Sequence, residues 1–287
     1  MTRVFLPELP ALMVEDQVRA ALVEDLGRAG DITSNATIGP ERTARADMNC
    51  REDGVIAGLP LAEAAFRLIE PAIEFKALAA DGDRVKAGTR IARIAGPARA
   101  VLSAERVALN YLMHLSGVAT HTARFAAAIA HTSARVTCTR KTIPGLRAVE
   151  KYAVRCGGGS SHRFGLDDAI LIKDNHIAVA GGVAEALRAA KAFAGHLVKV
   201  EIEVDTLEQF EIVLAEGADV CLLDNMGPDL LRKAVAMNDG RITLEASGNV
   251  NLDTIKAIAE TGVDYISTSK ITMAAPTLDI GLDIAIG

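Results

Sequence analysis

Between Thr139 and His176 the chain reads TRKTIPGLRAVEKYAVRCGGGSSHRFGLDDAILIKDNH, a segment equipped to handle negative charge. It holds seven basic residues, Arg140, Lys141, Arg147, Lys151, Arg155, Arg163 and Lys173, against four acids, Glu150, Asp167, Asp168 and Asp174. The chain as a whole is acidic, with a formal net charge of -6. A local cationic surplus inside an acidic protein points to a pocket for a small, highly charged anion. Arginine offers a planar fork that matches carboxylate or phosphate, and lysine a point charge. Arg140, Lys141, Arg163 and Lys173 are therefore candidate anion ligands. Arg147, Lys151 and Arg155 recur at i, i+4 spacing and read as the solvated face of a helix. Gly157-Gly158-Gly159 either lets a backbone approach a phosphate or makes a turn. His162 and His176 are either bases or structural hydrogen-bonding histidines.

Acids and hydroxyls follow further along. Glu203 and Asp224 close two neighbouring apolar runs. Carboxylates there bind Mg²⁺ through water, accept hydrogen bonds from sugar hydroxyls, or stabilise a cationic transition state. Ser247-Gly248-Asn249 and Ser267-Thr268-Ser269 precede helical segments, where amides and hydroxyls hold a phosphate at a helix N-terminus. Paired acids also fit glycoside hydrolysis, but the surrounding cations favour a phosphorylated substrate. Neither GxSxG nor GxxxxGK[ST] occurs, which removes support for serine-hydrolase and P-loop readings.

These residues need a frame. From residue 136 onward the apolar runs VTCT, AILI, VKVEIEV, VCLL, ITLEA and DYIST alternate with helical patterns at 145–156, 183–194, 206–216, 228–238 and 251–261. Such alternation makes βα units and a parallel sheet. Polar residues stand at the end of each run, which places them together on the active face of an α/β barrel of about six strands. Within 198–205, Lys199, Glu201, Glu203 and Asp205 share one face and imply a polar barrel interior near the mouth. Upstream, 13–27 reads as an amphipathic helix, broken by Gly30-Asp31-Ile32-Thr33. Residues 42–103 alternate short strands with a helix at Leu61–Ile69, the pattern of a small α+β domain. An Ala-rich helix, N-capped by Ser103 and interrupted near Gly117, bridges to the second domain.

Composition excludes several function classes. Half of the 287 residues are hydrophobic, enough for a large core, while aromatics make up only 3% and Trp is absent. An acidic chain without stacking platforms is not a general nucleic-acid binder. No apolar run reaches the ~18 residues of a membrane span, and the start MTRVFLPELPAL has no signal-peptide pattern. Cys50, Cys138, Cys156 and Cys221 are scattered, which suggests reduced thiols in a cytoplasmic protein.

The motifs, taken together, resemble the quinolinate phosphoribosyltransferase family (nicotinate-nucleotide pyrophosphorylase, carboxylating). The resemblance spans nearly the whole chain: EDLG with GDIT (24–33), Glu105-Arg106, Leu109-Asn110, SGVAT (116–120), TRKTIPGLR (139–147), GGGSSHRFGLDDAILIKDNH (157–176), VEIEVDTLEQ (200–209), LLDNM (222–226), EASGNV (245–250) and APTLDIGL (275–282). It implies an N-terminal α+β open-faced sandwich, residues 1–115, and an α/β barrel, residues 116–275. Residues 276–287 would pack back on the first domain. It implies transfer of the phosphoribosyl group of phosphoribosyl pyrophosphate to quinolinate with decarboxylation, giving nicotinate mononucleotide in NAD biosynthesis. It implies a homodimer or hexamer with shared sites. In that scheme Arg140, Arg163 and His162 hold the quinolinate carboxylates, with Arg106 from the neighbouring subunit. Thr139 belongs to the same substrate-binding set. Lys141 and Lys173 face both substrates, and Glu203 and Asp224 lie near the ribose and hold Mg²⁺ through water or substrate. Ser247, Gly248, Asn249, Ser267, Thr268 and Ser269 hold the 5′-phosphate, and no organic cofactor is implied. Ser161, Ser269 and Met273 depart from the family's usual Asn, Gly and His. Two rivals are a phosphoribosyltransferase-like paralogue of molybdate-transport clusters and a non-catalytic anion-binding module. The complete set of basic and acidic residues argues against the former.

Overall fold

A computed structural model of the chain describes residue 6 and residues 8–286. In chain order the first elements are α1 (Ala11–Leu26), α2 (Ile32–Thr37), β1 (Thr43–Cys50), β2 (Gly54–Val55), α3 (Leu59–Ile69), β3 (Glu74–Ala77), β4 (Arg84–Val85), β5 (Arg90–Pro97) and α4 (Ala98–Ala128). Next come β6 (Arg135–Thr137), α5 (Arg147–Cys156), β7 (Ile170–Ile172), α6 (Asp174–Ala180), α7 (Val183–Phe193), β8 (Val200–Val204), α8 (Leu207–Glu216) and β9 (Val220–Asp224). The chain ends with α9 (Pro228–Asn238), β10 (Thr243–Ser247), α10 (Ile255–Ala259), β11 (Tyr265–Ser267), a 3₁₀ turn at Ser269–Ile271, and β12 (Ile280–Ile286). No described helix is long and apolar enough to cross a membrane. The chain divides into two compact units. One comprises the chain up to His121 with Val149–Gly158 and the segment from Ala275; the other comprises Thr122–Ala148 and Gly159–Ala274.

The first unit is built on an antiparallel sheet of order β12-β1-β5-β3. Along β1, Ala44, Ala46, Met48 and Cys50 turn inward and are buried, while Thr43 and Arg45 are exposed. On β1's other face Asp47 takes Arg90 at 3.0 Å and Arg93 at 3.1 Å. A sheet with one apolar and one polar face is the open-faced sandwich. α1 buries Val14, Val18 and Leu22 at helical spacing.

Three local expectations change here. Asp31 does not simply break a helix. Its carboxylate accepts the Ser34 N–H at 2.9 Å and N-caps α2. Ser103 is not an N-cap, because α4 starts at Ala98 and the Ser103 hydroxyl donates back to Arg99 O at 2.8 Å. Gly117 does not interrupt α4. It is needed for a close approach, since a Cβ there would collide with Pro276 O.

The second unit is a parallel six-stranded sheet of order β6-β11-β10-β9-β8-β7, the wall of an α/β barrel. Among the described residues no ladder joins β7 to β6. Ser160 forms a parallel bridge to Thr137 and begins the segment that leads into β7, so the chain itself lies along the seam. On β8, Val200, Ile202 and Val204 are buried on one face; Glu201 and Glu203 occupy the other, as the alternation requires. β10 repeats this, with Leu244 and Ala246 on one face and Glu245 on the other. Register aligns Glu203 with Leu222, and Leu222 with Glu245. A row of inward residues therefore crosses three strands.

Candidate active site

The ends of these strands line two cavities in the second unit. The first, of about 310 Å³, has Arg140, Lys141, Arg163 and Lys173 in its wall, with Thr139, His162, Glu203, Glu245, Ser247 and Ser267, and apolar contact from Leu171 and Leu222. The second, of about 530 Å³, is lined by the loops Ser247–Asn251 and Ser267–Lys270 together with Thr139, Lys141, Asp224 and Asn225. Thr139, Lys141, Ser247 and Ser267 belong to both, so the cavities share a wall.

Cations of the first cavity are held in different ways. Arg163 Nη1 donates to Ala169 O at 3.0 Å within the seam segment, while its Nε is buried without a hydrogen-bond partner among the described residues. Burial first, and then the neighbouring Arg140 charge, lower the Arg163 pKa from its ordinary value. An orphan donor on a crowded guanidinium is satisfied by an anion. Lys173 Nζ lies 2.5 Å from Glu203 Oε2. The Lys141 loop is fastened at both ends, its N–H to Thr139 Oγ1 at 3.0 Å and its carbonyl to the Thr272 hydroxyl at 2.8 Å.

His162 is engaged at both ring nitrogens. Nδ1 accepts the Arg163 backbone N–H at 2.7 Å, so the imidazole proton sits on Nε2, which faces Glu201 Oε2 at 3.1 Å and Glu245 Oε1 at 3.6 Å. His176 is not in either cavity. On α6 its Nδ1 accepts the Lys173 backbone N–H at 3.0 Å, a capping role.

The phosphate-binding expectation changes in form. Ser247-Gly248-Asn249 does not open onto a helix, since α10 begins only at Ile255. Ser267-Thr268-Ser269 leads into a 3₁₀ turn whose Lys270 N–H is capped by Thr268 Oγ1 at 3.2 Å. What the loop offers is a concave backbone. Asn225, Gly248 and Asn249 all have positive φ, at 54°, 90° and 53°. Successive amides in such conformations form anion-binding nests. Gly248 is also required sterically, because a Cβ would collide with Asn225 Oδ1. Ser269 lines this cavity, and Met273 is exposed nearby in sequence.

Other sequence candidates fall elsewhere. Arg106 is exposed on α4 of the first unit and lines neither cavity. Gly157-Gly158-Gly159 stops α5, with Gly158 at φ 86°, and lines neither cavity. Lys151 is buried and Arg147 half-buried, so α5 is not a solvated face. Arg147 donates to Phe164 O at 3.3 Å and to Arg140 O at 3.4 Å, bracing the loops beside the cavity. Residues missed from sequence are Glu245 and Lys270. The alternation in TLEAS, which sets Glu245 on the face of Ser247, was the available signal for the first.

A parallel barrel with a cation-walled cavity beside an amide- and hydroxyl-walled one defines an α/β-barrel enzyme that acts on two anions together. Comparison with known proteins narrows the class. The quinolinate phosphoribosyl transferase C-terminal domain model matches residues 118–283, and the N-terminal domain model residues 31–116. The chain is 43% identical to the nicotinate-nucleotide pyrophosphorylase (carboxylating) of Mycobacterium leprae, covering 94% of this chain and 96% of that one. It is 42% identical to the probable enzyme of that name from Synechocystis, covering 96% and 94%. The structure of nicotinate-nucleotide pyrophosphorylase from Francisella tularensis superposes with a TM-score of 0.92 at 37% identity, covering 98% and 99%. The chain belongs to the quinolinate phosphoribosyltransferase family.

Proposed function

We infer that the chain carries out its family's reaction in de novo NAD biosynthesis: transfer of phosphoribose from phosphoribosyl pyrophosphate to quinolinate, with release of pyrophosphate and CO₂. The observation that carries the site assignment is the pair of cavities with a shared wall, one suited to a dicarboxylate and the other to a phosphate. Quinolinate enters the first. Arg163, with its orphan Nε, and Arg140 take its carboxylates, while Lys141 and Lys173 offset the repulsion between two anionic substrates brought out of water. His162 supports this cavity by fixing the Arg163 backbone and meeting Glu201, rather than by lending a free N–H. The amides and hydroxyls of Ser247-Gly248-Asn249 and Ser267-Thr268-Ser269 receive the 5′-phosphate, with Lys270 beside them.

The pyridine nitrogen attacks the anomeric carbon at the shared wall, beside Thr139 and Lys141, as pyrophosphate departs. Glu203 and Asp224 present carboxylates to the cationic, oxocarbenium-like carbon and favour its formation. When the neighbouring carboxylate leaves as CO₂ its bonding pair stays on the ring carbon, where the adjacent cationic nitrogen stabilises it until a proton from solvent completes the C–H bond. Glu203 and Asp224 are hard oxygen donors, and Mg²⁺ is ordinarily held by one or two carboxylates plus substrate phosphates. The donor set fits that ion, which would neutralise the leaving pyrophosphate. No organic cofactor enters this scheme.

Arg106, exposed and outside this chain's cavities, suits a role in a neighbouring subunit's site within a homodimer or hexamer. The first unit then lends Arg106 to another subunit, while the barrel unit performs the transfer. Four buried free thiols fit a reducing compartment, and we assign the chain to the cytoplasm.

The direct test supplies quinolinate, phosphoribosyl pyrophosphate and Mg²⁺ to the purified protein and measures pyrophosphate and CO₂. Equal release of both supports the assignment. Quinolinate binding in calorimetry with neither product released would reduce the protein to an anion-binding module.

A further inference from the structure

Glu245 has no part in the roles assigned above, yet it lines the dicarboxylate cavity. It is 4% exposed, and its Oε1 has no hydrogen-bond partner among the described residues. Beside it stands Glu201, 8% exposed, whose Oε1 is likewise without a partner. Both acids face the same donor, Nε2–H of His162, at 3.1 Å from Glu201 and 3.6 Å from Glu245. Because His162 Nδ1 accepts a backbone N–H, the ring has one proton to offer and Glu201 holds the nearer position. Two buried carboxylates compete for that one N–H, and the one left short of a donor favours its protonated form. The Ser267 hydroxyl also reaches Glu245 and Tyr265 is in register with it on β11, while Glu203, Arg163, Arg140, Lys141 and Lys173 line the same cavity. Burial, followed by the Glu201 charge, pushes the Glu245 carboxyl up to about 7, against the pull of His162 and Ser267.

We propose that Glu245 is a binding residue for the pyridine dicarboxylate that works as a neutral carboxyl, donating a hydrogen bond to the dianion, and that a proton is taken up as the dianion enters. This rests on the reading of the first cavity as the quinolinate site. The sign follows from charge. A dianion beside Glu245 disfavours its ionised form and raises its proton affinity further, so binding and protonation are mutually reinforcing. Below the carboxyl's own titration, near pH 7, the proton is already present and affinity is flat. Above it affinity falls, by at most about tenfold per pH unit for one linked proton.

The experiment is calorimetric titration of the intact protein with benzene-1,2-dicarboxylate. It is a dianion without a ring nitrogen and cannot react. Titrations near pH ~8 in buffers of different ionisation enthalpy count the protons taken up. The wild type is expected to take up a substantial fraction of one proton per site. Glu245→Gln, which keeps size and an N–H donor, is expected to bind within a few-fold at acidic pH and to lose both the uptake and the alkaline decline. Uptake as large in Glu245→Gln as in wild type would assign the proton to another group and overturn the proposal, as would binding by wild type without uptake. Should the Gln variant fail to fold, the infrared difference spectrum of wild type on binding decides: a new protonated-carboxyl stretch supports the proposal, and its absence overturns it. Failure of wild type to bind either benzene-1,2-dicarboxylate or quinolinate at any pH would instead sink the substrate reading beneath it.

Discussion

Lys173 Nζ lies 2.5 Å from Glu203 Oε2, joining the residue that follows β7 to the inward face of β8. Lys173 is largely exposed and Glu203 much less so, so this pair is poised at the cavity rather than sealed in the core. Each group fixes the other, so their contributions are coupled. Lys173→Ala and Glu203→Gln are each expected to lower kcat/KM by about 10²-fold or more. The double variant should be far less impaired than the product of the two losses. Steady-state kinetics of the three variants checks this; fully multiplicative losses would mean that the two residues act separately.

Arg163 is the cation whose replacement by lysine should not be tolerated. Its Nη1 is committed to Ala169 O, leaving the buried Nε for an anion, a geometry that an ammonium cannot reproduce. Arg163→Lys and Arg163→Ala are both expected to raise the quinolinate KM by at least about tenfold, equivalent to ~1.4 kcal/mol. The thermal midpoint should change little. Recovery of wild-type KM by lysine would leave only a point-charge role.

Gly248 brings the Ser247–Asn251 loop close against Asn225. Alanine there meets two penalties, a collision with Asn225 Oδ1 and a φ of 90° that L-residues avoid. The backbone strain alone is of order 1–3 kcal/mol. Gly248→Ala is expected to raise KM for phosphoribosyl pyrophosphate while quinolinate affinity in calorimetry stays near wild type. Asn225→Ala added to it removes the side-chain collision but neither the 3.0 Å approach to Asn225 N nor the φ penalty, so rescue should be partial. Full rescue would show that sterics alone set the requirement.

Arg106→Ala and Lys141→Ala place one defect in each unit of the chain. If Arg106 serves a neighbouring subunit's site, each homomer is inactive, while a mixed assembly contains sites with both residues intact. Unfolding and co-refolding equal amounts should restore part of the wild-type rate. No recovery from assemblies shown to be mixed would confine Arg106 to its own chain.

The Glu245 carboxyl also makes a prediction for stability. Its folded pKa lies above the unfolded value, near 7 against 4.5. The cost of keeping it buried is absent below pH 4.5, grows as the unfolded chain ionises, and is complete above about 7. Glu245→Gln should therefore raise the melting temperature relative to wild type at neutral to alkaline pH, and the gain should shrink on acidification. Thermal melts across that range decide it; a gain independent of pH would point to packing instead.

Much of the barrel is legible in the sequence. Apolar runs at 220–223 and 242–246 and the helix at 228–238 fall where periodicity puts them, because each pattern is local. The cations Arg140, Lys141, Arg163 and Lys173 stood out for the same reason, as charge anomalies within one segment. Other features depend on distant chain. Gly117 reads as a helix break until Pro276 O is found against it. Lys151 reads as a solvated charge, yet it is buried. Asp31 marks a stop, but its hydrogen bonds make it a start.

By itself the sequence determined which residues alternate along the barrel strands, where most of the barrel helices lie, and which segment concentrates cations, since these follow from spacing along one strand or helix. It also carried motifs specific enough to show the family resemblance. Only the tertiary structure decided which side chains meet. Glu201 and Glu245 are separated by two strands' worth of chain, and nothing in their spacing predicts a shared histidine proton. Strand register and the seam through Ser160 bring them to His162. Burial then sets the charge they can hold, because desolvation belongs to the packed barrel and not to any stretch of its sequence.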